Sequence, residues 1–253
     1  MIGTLRRRLA GRSPGELLGL IGTNVSHLIQ SLRPAAIRRR RDDARFDRRW
    51  ATETSGIVSL SGLAVDPTQA RHGVHYQPSS GEALTDAVER LGITPGEWSL
   101  VDYGSGKGRI VMMGAAMHFG RVVGVEFSPE LCTIAEENVC RFVEAGGTTR
   151  APHIVLGDAG AFELPTGPVL AYLYNPFDAS VLDRVVGRLE AKGASKEPVI
   201  VVYVDPRHLS CFEASGRWRV TRPSPDVALL TFSASAAPAD PASPSVSSSS
   251  AAP

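Results

Sequence analysis

Two patterns of apolar residues alternate along the chain from residue 82 onward. Short, nearly uninterrupted apolar runs are typical of strands that are buried on both faces of a parallel sheet. Between them lie stretches in which apolar residues return every three or four positions, as in helices that pack one face on such a sheet. The alternation predicts an α/β domain with a mostly parallel seven-stranded sheet and helices on both faces. A turn at 223–226 joins the last two predicted strands as a pair, and the last strand is predicted to be antiparallel. The predicted strands are 100–102, 121–126, 153–158, 169–174, 198–204, 218–220 and 227–232, and the predicted helices are 82–91, 110–117, 129–143, 180–192 and 208–214.

A glycine-rich turn follows the first predicted strand. The strand ends in Asp102, and Gly104, Gly106 and Gly108 come at alternate positions before a helix begins. Glycine allows positive φ angles and lets a ligand approach the bare backbone, and the start of a helix presents free N–H groups. The spacing differs from the G-x-G-x-x-G of dinucleotide-binding folds, and an acid before the turn suits a cationic or amino-bearing ligand better than a pyrophosphate. The alternative is a generic glycine-rich connection between a strand and a helix.

Two further acids stand at the ends of the next predicted strands. Glu126 ends the second strand, at the spacing expected of one βαβ unit, and Asp158 ends the third. The carboxylate of Glu126 can accept hydrogen bonds from both hydroxyls of a ribose. The alternative for Asp158, taken alone, is a place in a surface loop. Because three acids follow three successive strands, we expect them to meet at one edge of the sheet and to bind one ligand.

The Asp-x-Gly-x-Gly-x-Gly pattern from Asp102 to Gly108 resembles the cofactor loop of the class I S-adenosylmethionine (SAM)-dependent methyltransferases. The resemblance implies a Rossmann-like seven-stranded sheet and SAM as the cofactor. It implies that Asp102 lies near the methionine amino group, Glu126 on the ribose and Asp158 near the adenine amino group. The other cofactor-binding residues implied in this core are Tyr103, Gly104, Ser105, Gly106, Gly108, Phe127 and Ala159.

A weaker resemblance extends to the residues before the core. The segment 76–79 is similar to a tyrosine–proline–serine loop that precedes the cofactor core in the non-SET class of histone lysine methyltransferases, and the match continues through 101–106 and 124–126. The resemblance implies a lid over the methionine end of the cofactor, with Tyr76 and Ser79 in contact with it. Alternatively, Ser79 and Glu82 form a capping box at the start of the helix 82–91.

The turn Asn175-Pro176-Phe177 follows the fourth strand, at the edge where open α/β sheets bind ligands. It is similar to the Asn-Pro-Pro-Tyr motif of amino-group methyltransferases, although the second proline is missing. The resemblance implies that Asn175 holds the acceptor nitrogen and Phe177 covers it. Physical chemistry agrees in part, because an amine needs acceptors for its hydrogens and a developing cation is stabilised over an aromatic face. The alternative is that Asn175-Pro176 only ends a strand.

The sequence therefore predicts a SAM-dependent methyltransferase that transfers a methyl group to an unidentified acceptor, with an amine nitrogen as the suggested atom. The acceptor molecule could be a protein, a nucleic acid or a small metabolite. A second hypothesis is a non-catalytic SAM- or nucleotide-binding module that is tethered by a basic arm. A third is an NAD(P)-dependent oxidoreductase, against which the glycine spacing argues.

The first fifty residues differ from the rest in charge. They contain twelve arginines and four acidic residues and so carry a net +8, whereas the remaining residues carry a net −7. Within them, apolar residues between 17 and 32 fall on one helical face that is too short to span a bilayer. Three hypotheses stand for this arm: a solvated basic helix packed on the domain, attachment to an anionic membrane surface, or contact with nucleic-acid phosphates.

The predicted organisation has four parts. They are a basic amphipathic arm at 1–45, an irregular lid segment at 46–80, a SAM-binding domain at 81–233 and a disordered Ala/Ser/Pro tail at 234–253.

The chain offers no pattern for a metal site. Cys132, Cys140 and Cys211 are scattered and odd in number, which predicts reduced, buried thiols in a cytoplasmic protein, with peripheral membrane association as a further hypothesis for the arm. His72 and His75 have no third ligand at a suitable spacing, so we expect no metal ion. Lys107, in the glycine turn, either reaches a cofactor carboxylate or stays solvated.

Overall fold

The structure is a computed structural model, and it describes residues 34–56, 79 and 81–233. Seven strands form one sheet: β1 (Ser99–Tyr103), β2 (Arg121–Glu126), β3 (His153–Leu156), β4 (Val169–Tyr174), β5 (Val199–Val204), β6 (Trp218–Ser224) and β7 (Val227–Phe232). Their order is β3-β2-β1-β4-β5-β7-β6. The first five strands are parallel, and β7 runs antiparallel to both β5 and β6. The predicted Rossmann-like, mostly parallel sheet with an antiparallel last strand is confirmed.

The strand β1 lies in the middle of the sheet, and all five of its residues are buried because elements cover both faces. Tyr103 belongs to one apolar cluster and Leu100 to the other, as the alternation of side chains along a strand requires. The register places Asp102 beside Gly124 of β2 and Tyr172 of β4. The predicted site residues therefore follow strands whose carboxyl ends meet at one edge.

Six α-helices are described: α1 (Pro34–Trp50), α2 (Glu82–Arg90), α3 (Arg109–Ala116), α4 (Pro129–Glu144), α5 (Ala179–Ala194) and α6 (Ser210–Glu213). The sequence Ser128-Pro129-Glu130 predicts Ser128 as the N-cap of α4, and this is confirmed, since its Oγ accepts a hydrogen bond from the Leu131 backbone N–H at 3.3 Å. Asp178 caps α5 by accepting from the backbone N–H groups of Ser180 and Val181 at 3.0 and 3.3 Å. This cap explains why α5 begins one residue before its predicted start.

The helix α1 runs across position 45, where the sequence suggested a boundary between a basic arm and an irregular segment. The boundary is therefore not the end of an element. Asp43, Phe46 and Trp50 recur at three- and four-residue spacing, and this face of α1 packs on the domain. The rings of Trp50 and Phe142 of α4 meet edge to face with their centroids 4.8 Å apart. This packing stabilises the helix through residue 50.

The predicted capping box of Ser79 and Glu82 is not formed. The N-cap of α2 is Gly81, with a φ of 76° and no capping side chain. The Ser79 hydroxyl instead accepts a hydrogen bond from the Gly81 backbone N–H at 3.4 Å and lies 2.5 Å from the hydroxyl of Tyr172. Ser79 thus joins the start of α2 to the strand β4.

Three elements differ in length from the prediction. β3 ends at Leu156, because Asp158 caps a 3₁₀ turn at Ala159–Ala161 instead of ending the strand. β6 continues to Ser224, and an irregular register with β7 takes up part of the predicted turn. α6 is shorter than the predicted helix 208–214.

Some predictions concern parts of the chain outside the described residues, namely the apolar helix 17–32, the tail 234–253 and the side chains of His72, His75 and Tyr76. The three cysteines are free thiols, but the prediction that all are buried is wrong: Cys140 is exposed on the outer face of α4 and Cys211 is half-buried. None of the described helices is long and apolar enough to cross a membrane.

Candidate active site

The glycine loop lies between β1 and α3 and packs directly on the Asn-Pro-Phe turn. Gly104, Gly106 and Gly108 all have positive φ angles, of 72°, 53° and 83°. A Cβ at Gly104 would lie 2.5 Å from the Cβ of Pro176, so no other residue fits there without movement. The backbone N–H of Gly104 donates to the carbonyl of Val125 at 2.8 Å and ties the loop to β2. Two motifs that are distant in the sequence therefore form one surface.

Glu126 ends β2 and holds the glycine loop through its carboxylate. The Oε2 atom accepts from the Gly106 backbone N–H, and Oε1 accepts from those of Phe127 and Ser128, each at 2.9 Å. Burial raises the pKa of Glu126, and the three hydrogen bonds counteract this only in part. These bonds use three of about four acceptor positions of a carboxylate. Binding both hydroxyls of a ribose would require one of the backbone bonds to be shared or replaced.

Asp102 lies at the end of β1 and is 4% exposed. No described residue donates a hydrogen bond to its carboxyl group. Burial, and secondarily the nearby charge of Glu126, raises the pKa of Asp102 to about 8. Among the described residues, the hydroxyls of Ser105 and Tyr103 are also buried without a hydrogen-bond partner. An unpaired buried acid is costly unless a cation compensates it, so the end of β1 is suited to a positively charged ligand group.

A second part of the site is an apolar pocket beside the loop. Asp158 stands at its rim, accepts from the Gly160 backbone N–H at 2.9 Å and pairs with the Arg184 guanidinium at 2.6 and 3.3 Å. Burial alone would raise the pKa of Asp158, but the bonds from Arg184 and Gly160 outweigh it and lower the pKa. The carboxylate is therefore ionised and already engaged. The pocket is lined by Gly104, Val125, Phe127, Gly157, Asp158, Ala159, Pro176, Phe177, Val181 and Arg184.

The structure separates the two residues that were predicted to handle the acceptor. Phe177 is buried and lines the apolar pocket together with Asp158 and Ala159. The amide Nδ2 of Asn175 donates to Oδ2 of Asp205 at 3.3 Å. Because a carboxylate only accepts, this bond fixes the orientation of the amide. The Oδ1 atom of Asn175 is left without a donor among the described residues.

The backbone of Asn175 has a φ of 38°, in the left-handed region that asparagine tolerates better than most residues. Asp205 follows β5, has a φ of 48° and also accepts from Nε of Arg207 at 2.9 Å. Sequence reasoning missed the role of Asp205. The signal was present, since it is a fourth acid directly after a buried strand.

A contact between α4 and the glycine loop was also missed. Asn138, on the buried face of α4, accepts from the Glu53 backbone N–H at 2.7 Å and donates to the carbonyls of Glu53 and Lys107 at 3.2 and 3.0 Å. The Lys107 ammonium contacts the Glu53 carboxylate at 3.0 Å and the Ser55 carbonyl at 3.3 Å. Neither predicted role of Lys107 is realised, because its side chain binds the segment after α1. The signal for Asn138 was an amide within an otherwise apolar stripe.

Within residues 34–56, 79 and 81–233, no group of three or more His, Cys, Asp or Glu side chains is placed to hold a metal ion.

Comparisons with known proteins give similarities of fold. No model of a protein family matches the chain, and no curated protein matches it. Among solved structures, an RNA methyltransferase from Salinibacter ruber with bound S-adenosyl-L-homocysteine is similar at 24% identity and a TM-score of 0.41, over 62% of this chain and 94% of the other. A ribosomal protein L11 methylase from Lactobacillus delbrueckii subsp. bulgaricus is 18% identical with a TM-score of 0.42, over 68% and 81% of the two chains.

A third similar structure is the magnesium protoporphyrin IX methyltransferase of Synechocystis with bound SAM. It is 12% identical with a TM-score of 0.43, over 60% of this chain and 77% of the other. At these identities and TM-scores the similarities carry no inference about cofactor, activity or substrate. The chain's own sheet order and its glycine loop, with an acid near the end of β1 and another at the end of β2, give it the Rossmann-like fold that the sequence predicted.

Proposed function

We propose that this chain is a SAM-dependent methyltransferase that acts on an amine nitrogen. The observation that carries the proposal is the Asp102 carboxyl, which is buried beside the glycine loop without a described donor and next to a second acid, Glu126. An ammonium group bound there would keep Asp102 ionised and satisfy it. A dinucleotide would instead bring a pyrophosphate against two carboxyl groups, which is electrostatically unfavourable.

The remaining features of the site fit the same cofactor. The glycine loop leaves its backbone open to close approach, and Glu126 at the end of β2 keeps an acceptor position for a ribose hydroxyl. The apolar pocket between Phe127 and Phe177 suits a flat purine ring, with the Asp158 carboxylate at the rim as an acceptor for an amino group. SAM supplies an electrophilic methyl group on its sulfonium.

The acceptor side is assigned to Asn175. Since Asp205 holds the Nδ2 end of the amide, Oδ1 is presented as a fixed hydrogen-bond acceptor. An amine N–H can donate to this oxygen while its lone pair points toward the methyl group, and positioning of this kind supplies much of the rate of a direct group transfer. The role of Phe177 is revised accordingly, from a cover for the acceptor to a wall of the adenine pocket.

Calorimetric titration with S-adenosylhomocysteine tests the cofactor. We expect the wild type to bind it and the variant Asp102→Asn to bind it at least about tenfold more weakly, because hydrogen bonds to charged groups contribute about 1.5–3 kcal/mol. The matched control is Glu163→Gln, which removes an exposed acid and should leave the affinity unchanged. Tighter binding of NAD, or equal binding by Asp102→Asn and the wild type, would contradict the proposal.

A separate measurement distinguishes an enzyme from a binding module. We expect Asn175→Ala to keep its affinity for S-adenosylhomocysteine but to lose most transfer of labelled methyl groups to amine-bearing acceptors in total protein and total RNA pools. The loss should appear in kcat, because Oδ1 orients the reacting nitrogen. Full turnover by the variant would rule out the role of Asn175, and an inactive wild type that binds the cofactor would favour the binding module.

A further inference from the structure

The helix α1 presents a continuous row of arginines to solvent. Arg38, Arg41, Arg45 and Arg48 are exposed, and their spacing of three and four residues places them on one face. Arg49 is exposed beside them, with its guanidinium 4.6 Å from the centre of the Trp50 ring. Apart from Arg45, which lies 4.0 Å from Asp42, the arginines of this row have no ion pair with any described residue. We call these five arginines the basic face of α1.

The acids of α1 do not neutralise the basic face, because two of the three bind other residues of the protein. Asp43 forms a buried ion pair with Arg109 at the start of α3. Asp47 accepts hydrogen bonds from Thr52, Thr54 and Ser55, including 2.9 Å bonds from the backbone N–H groups of the last two. Only Asp42 remains on the exposed side. Two of the acids of α1 thus face the protein, whereas the arginines of the basic face are exposed to solvent.

The apolar side of α1 is also occupied. Trp50 packs on Phe142, and Phe46 lies under the Arg109 guanidinium, whose carbon is 4.7 Å from the ring centre. Helices that bind membrane surfaces insert an apolar face below the headgroups, and the two large apolar side chains of α1 that the structure describes, Phe46 and Trp50, are already used in packing. Among the described side chains of α1 up to Trp50, all the exposed ones are charged. This favours a partner that is bound through its phosphates over a lipid bilayer.

We propose that the basic face of α1 binds the phosphate backbone of a nucleic acid. From Arg38 to Arg48 the helix rises about 15 Å, at 1.5 Å per residue. That length matches roughly four phosphates along one strand of a duplex. Guanidinium groups bind phosphate oxygens in a bidentate manner, which suits a row of exposed arginines of which all but Arg45 have no ion pair with a described residue. The contacts carry affinity but read no base sequence.

The place of α1 in the fold brings this partner to the acceptor side. Residues of α1 form one wall of a wide cavity whose other wall includes Ser79, Tyr172 and Asp205, the residue that holds Asn175. Arg38 also lines this cavity, but the cavity carries several carboxylates, so the phosphate contacts are assigned to the outer face of the helix. The binding requires neither a cofactor nor methyl transfer, and it is therefore tested independently of the proposed function.

The test is a titration of fluorescein-labelled single-stranded RNA and its duplex with the full chain, followed by fluorescence anisotropy at several salt concentrations. The variant Arg38→Gln/Arg41→Gln/Arg48→Gln removes three unpaired arginines of the basic face. The matched control Arg121→Gln/Arg219→Gln/Arg222→Gln removes three exposed arginines elsewhere, which also form no ion pair with described residues. Circular dichroism and thermal unfolding establish that both variants are folded.

We expect the wild type and the control to bind, and the α1 variant to bind about tenfold or more weakly, with the slope of log K against log salt reduced by about 2 for three lost single-strand phosphate contacts. Equal loss in both variants would mean that net charge and not this face is responsible, and would overturn the proposal. So would unchanged binding by the α1 variant. Binding of phosphatidylserine vesicles without binding of RNA or duplex would assign the face to a membrane instead.

Discussion

Folding raises the pKa of the Asp102 carboxyl group. Burial first, and the neighbouring Glu126 second, raise its pKa from its ordinary value near 4 to about 8. The folded protein therefore holds this proton more tightly than the unfolded chain does. By linkage, the contribution of Asp102 to the free energy of unfolding falls as pH rises from about 4 through about 8. Asparagine has no such titration.

From this we expect Asp102→Asn to raise the melting temperature of the ligand-free protein near pH 8 and to raise it much less near pH 5. The physical reason is that at the lower pH the aspartic acid is already neutral and resembles the amide. Thermal unfolding at several pH values measures the difference between variant and wild type. Glu163→Gln, at an exposed site, should follow the wild type throughout. A difference that is the same near pH 5 and near pH 8 would show that Asp102 does not titrate in this range.

At the scale of elements, the parts that could be predicted are those with a strong local pattern. The runs that became β4 and β5 are continuous and apolar, so both were predicted to within a residue of their ends. The Ser128-Pro129 pair marked the start of α4 because capping chemistry acts over three residues. β6 was predicted too short because its residues alternate irregularly and its extent depends on pairing with β7.

The contacts within the site were less predictable than the strands, because they join residues that are distant in the sequence. The loop glycines and Asp102 lie in one motif, so they could be recognised together. The pairing of Asp158 with Arg184 joins a turn to a helix 26 positions away, and no local pattern marks Arg184. Likewise, the hydrogen bond that orients Asn175 is accepted by Asp205, 30 positions later. Sequence spacing indicates which residues share an edge of the sheet, but it does not indicate which of them bind each other.

At the scale of the whole molecule, the segment after α1 connects the N-terminal helix to the glycine loop. Asn138 is the centre of this connection, because its amide binds the backbone N–H and carbonyl of Glu53 and the carbonyl of Lys107 at the same time. Lys107 reinforces it through its contacts with Glu53 and Ser55. The loop therefore takes its shape from two distant parts of the chain, Glu126 on one side and this segment on the other.

We expect Asn138→Ala to lower the free energy of unfolding by about 1–3 kcal/mol, because it removes three hydrogen bonds, two to part-buried backbone groups of Glu53 and one to the buried carbonyl of Lys107. The same change should make the segment 51–56 more sensitive to proteolysis and weaken binding of S-adenosylhomocysteine, since the Lys107 carbonyl lies within the loop. Urea unfolding, limited proteolysis and calorimetry measure the three effects. Cys140→Ala, on the exposed side of the same helix, should change none of them. If Asn138→Ala unfolded at the wild-type urea concentration with the segment still protected, the other contacts of α1 and of the segment after it would be sufficient to hold them, and the glycine loop would not depend on Asn138.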